Sequence, residues 1–406
     1  MKNTNQKSVL VGIGNAGVSV LDRIAVEHPS IKETLVINTE GASLSASVTA
    51  RRIAFPPCQD GDLSEGFLAI EEEFMAAIEG APAVIFCGAL GGELGSFLIP
   101  ALAARAKADG ITTLASVGIP FSFEGRQKRE IADAALRKLH DLCDGVALID
   151  NDRLAGGVPS TAAVGEAFVA ADRALQFSML ALRGMLSTSG PVRITRADLA
   201  GSLGIAGAMT HFGHGMAKGA NRLHEALEEM LRSPLLTIAG KGSALKEAAT
   251  VLLLLSGPAD LSFAEVQRTV SEIERVAGDR CLVKVGVLAD GYADDPLEIY
   301  LLAGSGGGSR KATPPAPTKT ATLVTQSSSK SAEEWPPARS QPSLDEARAA
   351  KSKKSSAAQQ TQGVLNLETY QRGRFDKSEP TIVEGEDLDI PTFLRKGIKL
   401  VSPFRH

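Results

Sequence analysis

The sequence predicts an α/β protein with a doubly wound, mostly parallel β-sheet, a central helix, a second smaller α/β subdomain and a disordered tail. Before Gly304, short apolar segments rich in β-forming residues alternate with helical patterns, which is typical of parallel sheets covered by helices. One long helical pattern is apolar on nearly every side, as expected of a buried helix. After Gly304 small and polar residues predominate, and such a composition buries too little apolar surface to offset the entropy of ordering.

The strands and helices of the first half follow one another in regular order. Short apolar runs predict strands at Ser8–Val11, Leu35–Asn38, Ala83–Cys87, Thr113–Val117 and Val146–Ile149. Apolar residues at helical spacing predict helices at Ala16–Val26, Glu65–Ile78, Glu93–Ala108 and Lys128–Leu142. Because a helix pattern follows most of these strands, we expect one parallel sheet within residues 1–162.

The second half begins with the long helical pattern from Ala163 to Leu186. Beyond it, we expect strands at Val192–Ile194, Val251–Leu255, Cys281–Leu288 and Glu298–Leu302, and helices near Met216–Arg232 and at Phe263–Val276. The expected organisation is therefore a connecting helix over residues 163–187, a C-terminal α/β subdomain over 188–303, a disordered linker over 304–385 and a short docking peptide over 386–406.

The composition narrows the class of protein. The net charge of −4 gives no overall field toward nucleic acid, and we expect no nucleic-acid partner. The four cysteines follow no paired spacing, which favours thiols in a reducing compartment. No apolar run is long enough to span a membrane and the N-terminal segment does not resemble a signal peptide, so we expect a cytoplasmic protein.

The first glycine-rich segment, GIGNAG from Gly12 to Gly17, lies between the first predicted strand and the first predicted helix. Glycines there let the backbone approach a phosphate, and a helix N-terminus adds free N–H groups. The segment also fits the dinucleotide fingerprint, with Glu40 at the distance where an acid would bind a ribose. A tight turn that binds nothing is the remaining alternative.

A second glycine-rich segment, GALGGELGS from Gly88 to Ser96, also joins a strand to a helix. Two such turns in one sheet indicate a nucleotide held by two loops, although a turn that serves only packing is the alternative. The loops Pro120–Arg126 and Asp150–Leu154 follow two further strands. Loops at the carboxyl ends of parallel strands line the ligand crevice of such folds.

Eight strings follow one another along the chain: VGIGNAG, INTE, GALGGELGSFLIP, PFSFEGR, NDRL, AFVAAD, SPLL and DIPTFLR. In this order they resemble FtsZ, the bacterial homologue of tubulin, over nearly the whole folded region. GALGGELGSFLIP resembles a degraded form of the tubulin signature, and DIPTFLR resembles the C-terminal peptide of the family. The resemblance identifies the chain as a divergent bacterial member of the tubulin/FtsZ superfamily.

The resemblance implies a site for GTP or GDP with Mg²⁺, head-to-tail filaments and a role in septation at the division site. By position, Asn38 joins the site, Glu124, Lys128 and Asn151 face the ribose side, Phe168 lies against the base and Asp172 bonds near it. The residues expected around the phosphates are Gly14, Asn15, Ala16, Gly17, Val18, Ser19, Gly91, Gly92, Leu94, Gly95 and Ser96. In the family an acidic loop completes hydrolysis in the neighbouring subunit, and Asp198 would be its surviving catalytic carboxylate here.

Several positions depart from the family pattern. Glu93 and Leu94 replace a glycine and a threonine of the signature loop, and Thr195 stands where the first aspartate of the hydrolysis loop is expected. Arg173 stands at the position of the aspartate that reads guanine. A carboxylate beside phosphates is unfavourable without a cation, and loss of a carboxylate from a cation site lowers the rate. We therefore expect slow GTP hydrolysis.

The C-terminal peptide carries the expected partner-binding residues: Asp389, Ile390, Pro391, Phe393, Leu394 and Arg395. In the family this peptide docks on membrane-tethering division proteins of the FtsA or ZipA kind. The basic and apolar residues after it also favour weak contact with anionic lipid. An end without a partner is the alternative.

Three functions are considered. The leading hypothesis is a GTP-binding, polymerising cell-division protein with slow hydrolysis. The second is a non-hydrolysing, FtsZ-like scaffold or modulator of filaments, which the altered loops favour. The third, a dinucleotide-dependent oxidoreductase, uses Gly12, Gly14, Gly17 and Glu40. His211 and His214 have a spacing that allows a shared metal, but with no further ligand nearby in sequence we expect no metal site there.

Overall fold

The structure is a computed structural model that describes residues 8–57, 62–159, 161–187, 189–204, 209–238, 242–292 and 294–305, with 382, 383, 386 and 387. The chain divides into two compact units, Met1–Ala316 and Pro317–His406. The first unit contains two large sheets with a helix between them, and a separate two-stranded sheet formed by Thr237–Ile238 and Gly242–Ser243.

Six parallel strands form the first sheet, in the order β3-β2-β1-β4-β5-β6. They are β1 (Val9–Ile13), β2 (Thr34–Asn38), β3 (Arg51–Ala54), β4 (Ala83–Ala89), β5 (Thr112–Ile119) and β6 (Gly145–Asp150). The five strands other than the edge strand β3 are buried along nearly their whole length. Strands buried on both faces are continuous apolar runs, which is why the sequence indicates them clearly.

Helices cover both faces of this sheet. They are α1 (Gly14–Glu27), α2 (Gly41–Ala46), α3 (Leu63–Ala77), α4 (Glu93–Ala108), α5 (Arg126–Leu142) and α6 (Asn151–Ala155). Successive strand residues point to opposite faces. Leu10 therefore packs in one core with Leu21 of α1, whereas Val11 packs in the other with Phe74 of α3 and Leu98 of α4.

Helix α7 (Val164–Met185) follows the first sheet and packs against the second. Leu175 and Met179 belong to the same core as Leu10 of the first sheet and Leu254 of the second. Burial on every side holds only for the later turns of α7, because Val164 near its start is 63% exposed. The connecting helix expected from the sequence is present, with an exposed beginning.

The second sheet is smaller and mixed, with the order β11-β10-β12-β7. The elements here are α8 (Arg196–Leu203), β7 (Met209–Ala217), α9 (Arg222–Leu231), β8 (Thr237–Ile238), β9 (Gly242–Ser243), β10 (Ala248–Pro258), α10 (Phe263–Ala277), β11 (Leu282–Gly291) and β12 (Leu297–Ser305). β10 and β11 are parallel, and β12 is antiparallel to both β10 and β7. The two-sheet α/β architecture confirms the predicted fold class.

Local sequence signals fix the ends of α10. The side chain of Ser262 accepts a hydrogen bond from the backbone N–H of Glu265, and the Glu265 carboxylate accepts one from the Ser262 N–H at 2.8 Å. This reciprocal pair satisfies two donors that the helix itself leaves free. Gly278 follows the helix with φ of 82°, a conformation that favours glycine.

Two predictions in the second half were wrong in detail. Met216, expected at the start of a helix, lies in β7, and the helix begins only at Arg222. Val192–Ile194 is not a strand, although Val192 makes an isolated bridge to Val287. The strand β7 was missed because Gly213 and Gly215 interrupt its apolar pattern.

In the second unit the structure describes only β13 (Ile382–Val383) and β14 (Glu386–Asp387), which pair antiparallel. Most of the predicted linker and the residues of the docking peptide from Leu388 onward lie outside the described residues. Among the helices that the structure describes, none has the length and apolarity needed to cross a bilayer.

Candidate functional site

A cavity of about 410 Å³ opens at the carboxyl edge of the first sheet. Its lining comes from the ends of β1, β2 and β4 and the starts of the segments that follow them, together with Glu124 and Lys128 after β5. β1 and β4 are neighbours in the sheet although β2 and β3 lie between them in the chain. Such a reversal of strand order leaves a crevice where open α/β sheets bind ligands. The two glycine-rich segments therefore meet at one cavity.

The first glycine-rich segment brings the start of α1 close to β1. A Cβ on Gly12 would lie 2.4 Å from the carbonyl oxygen of Gly17, so both positions need glycine for packing. Gly14 begins α1 with φ of 70°, and no side chain caps this end of the helix. The free N–H groups of an uncapped N-terminus are suited to an anion.

The second glycine-rich segment also packs closely on its strand and leads into a helix, α4. Gly91 has φ of 95°, and its N–H donates to the Oγ of Ser96 at 2.9 Å. A Cβ on Gly95 would lie 2.3 Å from the carbonyl oxygen of Ala89, whereas a Cβ on Gly92 would meet nothing within 4 Å. Gly92 also leaves the start of α4 without a side-chain cap. Two uncapped helix starts thus line the same cavity.

A chain of polar side chains closes the side of the cavity next to β2. The Nδ2 of Asn38 donates to the Oδ1 of Asn15 at 2.6 Å. Asn15 in turn donates from Nδ2 to the Oε1 of Glu40 at 3.1 Å. These bonds fix the orientation of Asn15 over the first glycine-rich segment.

The loop after β5 supplies the opposite side. Glu124 accepts a hydrogen bond from the backbone N–H of Phe121 at 2.9 Å, and its other oxygen pairs with the Nζ of Lys128 at 3.1 Å. Glu40, Glu93, Glu124 and Lys128 are the charged residues among those that line the cavity. Three carboxylates and one ammonium leave the lining negative, so an anionic ligand would need a cation with it.

Aromatic side chains gather beside the cavity at the start of α7. Phe168 makes an edge-to-face contact with Phe121, with ring centroids 5.2 Å apart, and Phe123 stacks on Phe121 at 5.0 Å. Phe123 and Phe168 are 64% and 41% exposed, so both rings are accessible. An exposed aromatic cluster is a surface on which a base can stack.

Asn151, predicted for the ribose side, and Asp172, predicted near the base, have different surroundings. Asn151 is buried, and its Oδ1 has no hydrogen-bond partner in the described part of the chain. Asp172 accepts a hydrogen bond from the Oγ of Ser19 at 2.8 Å. Burial raises the pKa of Asp172, although the bond from Ser19 and the charge of Arg23 act in the opposite direction.

Arg173 does not take over the role of the aspartate expected at its position. Its guanidinium pairs with Glu27 at 3.4 Å and lies 5.8 Å from the ring centroid of Phe177. A guanidinium donates hydrogen bonds and accepts none, so it cannot bind the N–H groups of guanine.

The cavity unites about half of the predicted binding residues. Those that line it are Gly14, Asn15, Ala16, Asn38, Gly92, Leu94, Gly95, Glu124 and Lys128. Those outside its lining are Gly17, Val18, Ser19, Gly91, Ser96, Asn151, Phe168 and Asp172. Val18, expected beside the phosphates, is a buried core residue. Sequence analysis missed Ile13, Thr39, Ala89 and Leu90 as lining residues, although each lies at or next to the end of a strand.

The predicted hydrolysis loop leads into α8. Thr195 caps this helix, and its side chain accepts a hydrogen bond from the Asp198 N–H at 3.1 Å. Oδ2 of Asp198 accepts from the backbone N–H of Thr195 at 3.0 Å and from its Oγ1 at 2.7 Å. Oδ1 of Asp198 pairs with the Nζ of Lys284 on β11 at 3.3 Å. Both carboxylate oxygens therefore have partners within the subunit.

His211 and His214 do not share a ligand position. The Nδ1 of His211 lies 2.6 Å from Arg153, whereas His214 stacks on Phe177 with ring centroids 3.8 Å apart. Within the described residues, no group of three or more potential metal ligands is found.

A parallel sheet whose two central loops bring uncapped helix starts to one cavity defines a nucleotide-binding α/β protein. Residues 7–158 match the GTPase domain of the tubulin/FtsZ family, and residues 208–305 match the C-terminal domain of the FtsZ family. Together the two matches span more than half of the chain. The chain therefore belongs to the tubulin/FtsZ family, as a divergent FtsZ.

Individual relatives agree with this membership. The cell division protein FtsZ of Pseudomonas aeruginosa is 28% identical over 312 residues, which cover 74% of this chain and 78% of that protein. An FtsZ dimer of M. jannaschii superposes with a TM-score of 0.62 at 24% identity, covering 75% of this chain and 89% of that one. CetZ2 of Haloferax volcanii, in a GTPγS-bound protofilament, gives a TM-score of 0.54 at 20% identity and covers 75% and 94%. At these identities the two solved structures establish the fold alone.

Family membership implies a guanine-nucleotide site and relates the chain to proteins named as cell division proteins. It places the glycine-rich loops in a GTPase family and not among dinucleotide-dependent oxidoreductases.

Proposed function

We propose that this chain binds GTP and GDP with Mg²⁺ at the carboxyl edge of the first sheet, polymerises head to tail in septation and hydrolyses GTP slowly. The observation that carries the proposal is the meeting of two uncapped helix starts, those of α1 and α4, at one cavity. The positive ends of two helix dipoles favour a chain of phosphates there.

The residues around the cavity fit a nucleotide with its cation. The backbone N–H groups at Gly14 and Gly92 face the phosphates, and a hydrogen bond from Asn38 fixes the orientation of Asn15. Glu124, Lys128 and Asn151 belong to the ribose side, and the exposed ring of Phe168 takes the base. Mg²⁺ would supply neutralisation of the phosphate oxygens, which the negative lining of the cavity requires.

Slow hydrolysis follows from the state of Asp198. In a head-to-tail filament this carboxylate would enter the site of the next subunit and orient the attacking water. Within the subunit it instead accepts hydrogen bonds from Thr195 and pairs with Lys284. A group that must leave such partners before it acts stabilises the transition state less than a free one.

The alternative is an FtsZ-like scaffold or modulator that assembles without hydrolysis. Two observations favour this alternative over a protein that hydrolyses GTP. Glu93 adds an exposed carboxylate at the start of α4, beside the expected phosphates, and Thr195 takes the place of a second carboxylate. Polymer formation that does not depend on the nucleotide would support this function.

We also propose a role for each domain, a cellular location and partners for the C-terminal peptide. The connecting helix over residues 163–187 joins a nucleotide-binding domain over 1–162 to a polymer-forming subdomain over 188–303. A linker over 304–385 carries the peptide Asp389–Arg395, which docks on membrane-tethering proteins of the FtsA or ZipA kind at the cytoplasmic side of the division site. The basic residues after it add weak contact with anionic lipid.

The proposal is tested by sedimentation and phosphate release of the full chain with GTP, with GDP and without nucleotide, all in magnesium buffer. We expect a pellet with GTP only, together with slow release of phosphate. A pellet of equal size under all three conditions, without phosphate release, would support the scaffold. Absence of a pellet under every condition would refute filament formation.

A further inference from the structure

We infer that Lys284 is a positioning residue that holds the carboxylate of Asp198 within its own subunit and thereby limits GTP hydrolysis. This inference rests on the proposed function, because Asp198 acts only if the chain assembles and presents it to a neighbouring nucleotide. It concerns a residue that neither the glycine-rich loops nor the hydrolysis loop contains. Lys284 lies on the edge strand β11, far along the chain from Asp198 on α8.

Three contacts occupy most of the acceptor capacity of the Asp198 carboxylate, two at Oδ2 and one at Oδ1. Thr195 donates two hydrogen bonds to Oδ2, at 3.0 Å from its N–H and 2.7 Å from its hydroxyl. Lys284 approaches Oδ1 with its ammonium group at 3.3 Å. The Thr195 bonds belong to the N-terminal cap of α8, so they form whenever that helix forms. The ammonium group of Lys284 is thus the partner that can be removed without undoing the helix cap.

These contacts also weaken Asp198 as an acceptor. Burial by itself raises the pKa of this carboxyl, but the hydrogen bonds from Thr195 and the ion pair with Lys284 outweigh that effect and hold the pKa below its usual value. A carboxylate with a lowered pKa is a poorer acceptor for the proton of an attacking water.

The reaction at stake is hydrolysis of GTP in the neighbouring subunit. The oxygen of water forms a bond to the γ-phosphorus, the bond from that phosphorus to the β,γ-bridging oxygen breaks, and GDP and phosphate result. The water gives up one proton, which passes to phosphate oxygens or solvent. Asp198 orients this water through Oδ1, the oxygen without a hydrogen bond from Thr195, and the ammonium group of Lys284 competes for that oxygen.

The ion pair is not needed for the fold. The side chains of Lys284 and Asp198 are 38% and 21% exposed, and a partly exposed ion pair contributes little to stability. Lys284 lies opposite Leu252 of β10 in a sheet that is otherwise held by a full ladder of backbone bonds. A methionine at position 284 can occupy the same path without the charge.

The test compares steady-state GTP hydrolysis by the full-length wild-type chain, Lys284→Met, Lys284→Arg and the double variant Lys284→Met, Asp198→Asn. Lys284→Met breaks the partly exposed ion pair, and we expect it to raise kcat about two- to fivefold with KM unchanged. Lys284→Arg keeps the charge and should hydrolyse like the wild-type chain. The double variant should lose the gain, because it lacks the carboxylate that Lys284→Met releases.

Rates are compared at equal pelleted mass, and GTP binding is measured by titration calorimetry for each variant. A kcat for Lys284→Met at or below that of the wild-type chain, with normal GTP binding and assembly, would overturn the inference. An equal gain in the double variant would overturn it as well, since Asp198 would then not be the group released. If the wild-type chain itself binds no GTP, the proposed function fails and the inference with it, and the calorimetry identifies this case.

Discussion

The hydroxyl of Ser19 on α1 donates a hydrogen bond to the carboxylate of Asp172 on α7, at 2.8 Å, and joins two residues that are 153 positions apart. The bond connects α1, the helix that begins in the first glycine-rich segment, to the helix that links the two sheets. Both residues were expected near the nucleotide, and the structure brings them together beside its cavity, outside the lining.

The state of Asp172 leads to the first prediction. Burial is the main influence on this carboxyl and raises its pKa, so the charged form is less stable in the folded chain than in the unfolded chain. Asp172→Asn removes the charge and still accepts the bond from Ser19. We therefore expect Asp172→Asn to raise the free energy of unfolding at pH 7, with a smaller gain as the pH falls toward the raised pKa.

Urea unfolding monitored by circular dichroism checks this result. Asp172→Ala is the matched comparison, because it also removes the charge but leaves Ser19 without its acceptor, at a cost of about 1 kcal/mol. If Asp172→Asn is less stable than the wild-type chain at pH 7, the charged carboxylate is stabilised by more than the influences of Ser19 and Arg23.

The second prediction separates two glycines of the same loop. A Cβ at Gly95 would lie 2.3 Å from the carbonyl oxygen of Ala89, whereas a Cβ at Gly92 would meet nothing within 4 Å. Gly95→Ala should lower the free energy of unfolding by about 1–3 kcal/mol, the usual effect of overpacking. Gly92→Ala should change it by less than about 0.5 kcal/mol. Equal thermal shifts for the two variants would contradict the close packing of α4 on β4.

The third prediction concerns acid sensitivity. Burial and, second, the charge of Arg173 lower the pKa of His214 to about 4, and its ring stacks on Phe177. Because the folded pKa lies below the unfolded value of 6.5, protonation favours the unfolded chain. Stability should fall as the pH is lowered from 6.5 toward 4. His211, whose pKa is also lowered to about 4 by burial and Arg153, contributes a second share.

The variant His214→Phe keeps an aromatic ring on Phe177 and removes the titrating group. Chemical unfolding of both proteins at a series of pH values from 7.5 to about 4.5 measures the slope. We expect the wild-type chain to lose stability more steeply than His214→Phe over this range. Identical slopes would mean that His214 is protonated as easily in the folded chain as in the unfolded one.

The fourth prediction addresses the hydrolysis loop. Thr195→Asp adds a second carboxylate to this loop and keeps a residue type that caps helices well, but it removes the hydroxyl that donates to Asp198. A second carboxylate at a cation site should raise the rate of GTP hydrolysis by on the order of tenfold or more. Thr195→Asn is the control, because it caps the helix without the charge. Phosphate release by Thr195→Asp no faster than by Thr195→Asn would show that this position does not limit turnover.

Much of the fold was predictable because its strands are buried on both faces and appear as continuous apolar runs. Strand β7, which was not predicted, shows the physical limit of such reasoning. A Cβ on Gly215 would lie 2.1 Å from the carbonyl oxygen of Ala226, and one on Gly213 would lie 2.6 Å from Leu236. Glycine is needed there because α9 packs closely on the strand, and glycine removes the apolar pattern that would have indicated the strand.

The site was predictable only in part, because one of its contacts joins residues that lie far apart in the chain. Glycine-rich turns after β1 and β4 can be recognised locally, and their meeting follows from the strand order. The pairing of Asp198 with Lys284 depends on where β11 lies beside α8, and the sequence carries no local signal for that contact. Sequence analysis therefore identified Asp198 as a catalytic candidate and missed the residue that holds it.

The central claim, a working guanine-nucleotide site between the two glycine-rich loops, is tested most directly by calorimetric titration of the full-length, nucleotide-free chain with GTP in magnesium buffer. Gly92→Trp should fold and fill the cavity, since Gly92 has open space and an ordinary backbone conformation. Gly201→Trp, also in open space but on α8, is the matched control. We predict saturable binding by the wild-type chain and Gly201→Trp and none by Gly92→Trp. Absence of binding by the folded wild-type chain, or equal binding by Gly92→Trp, would contradict the claim.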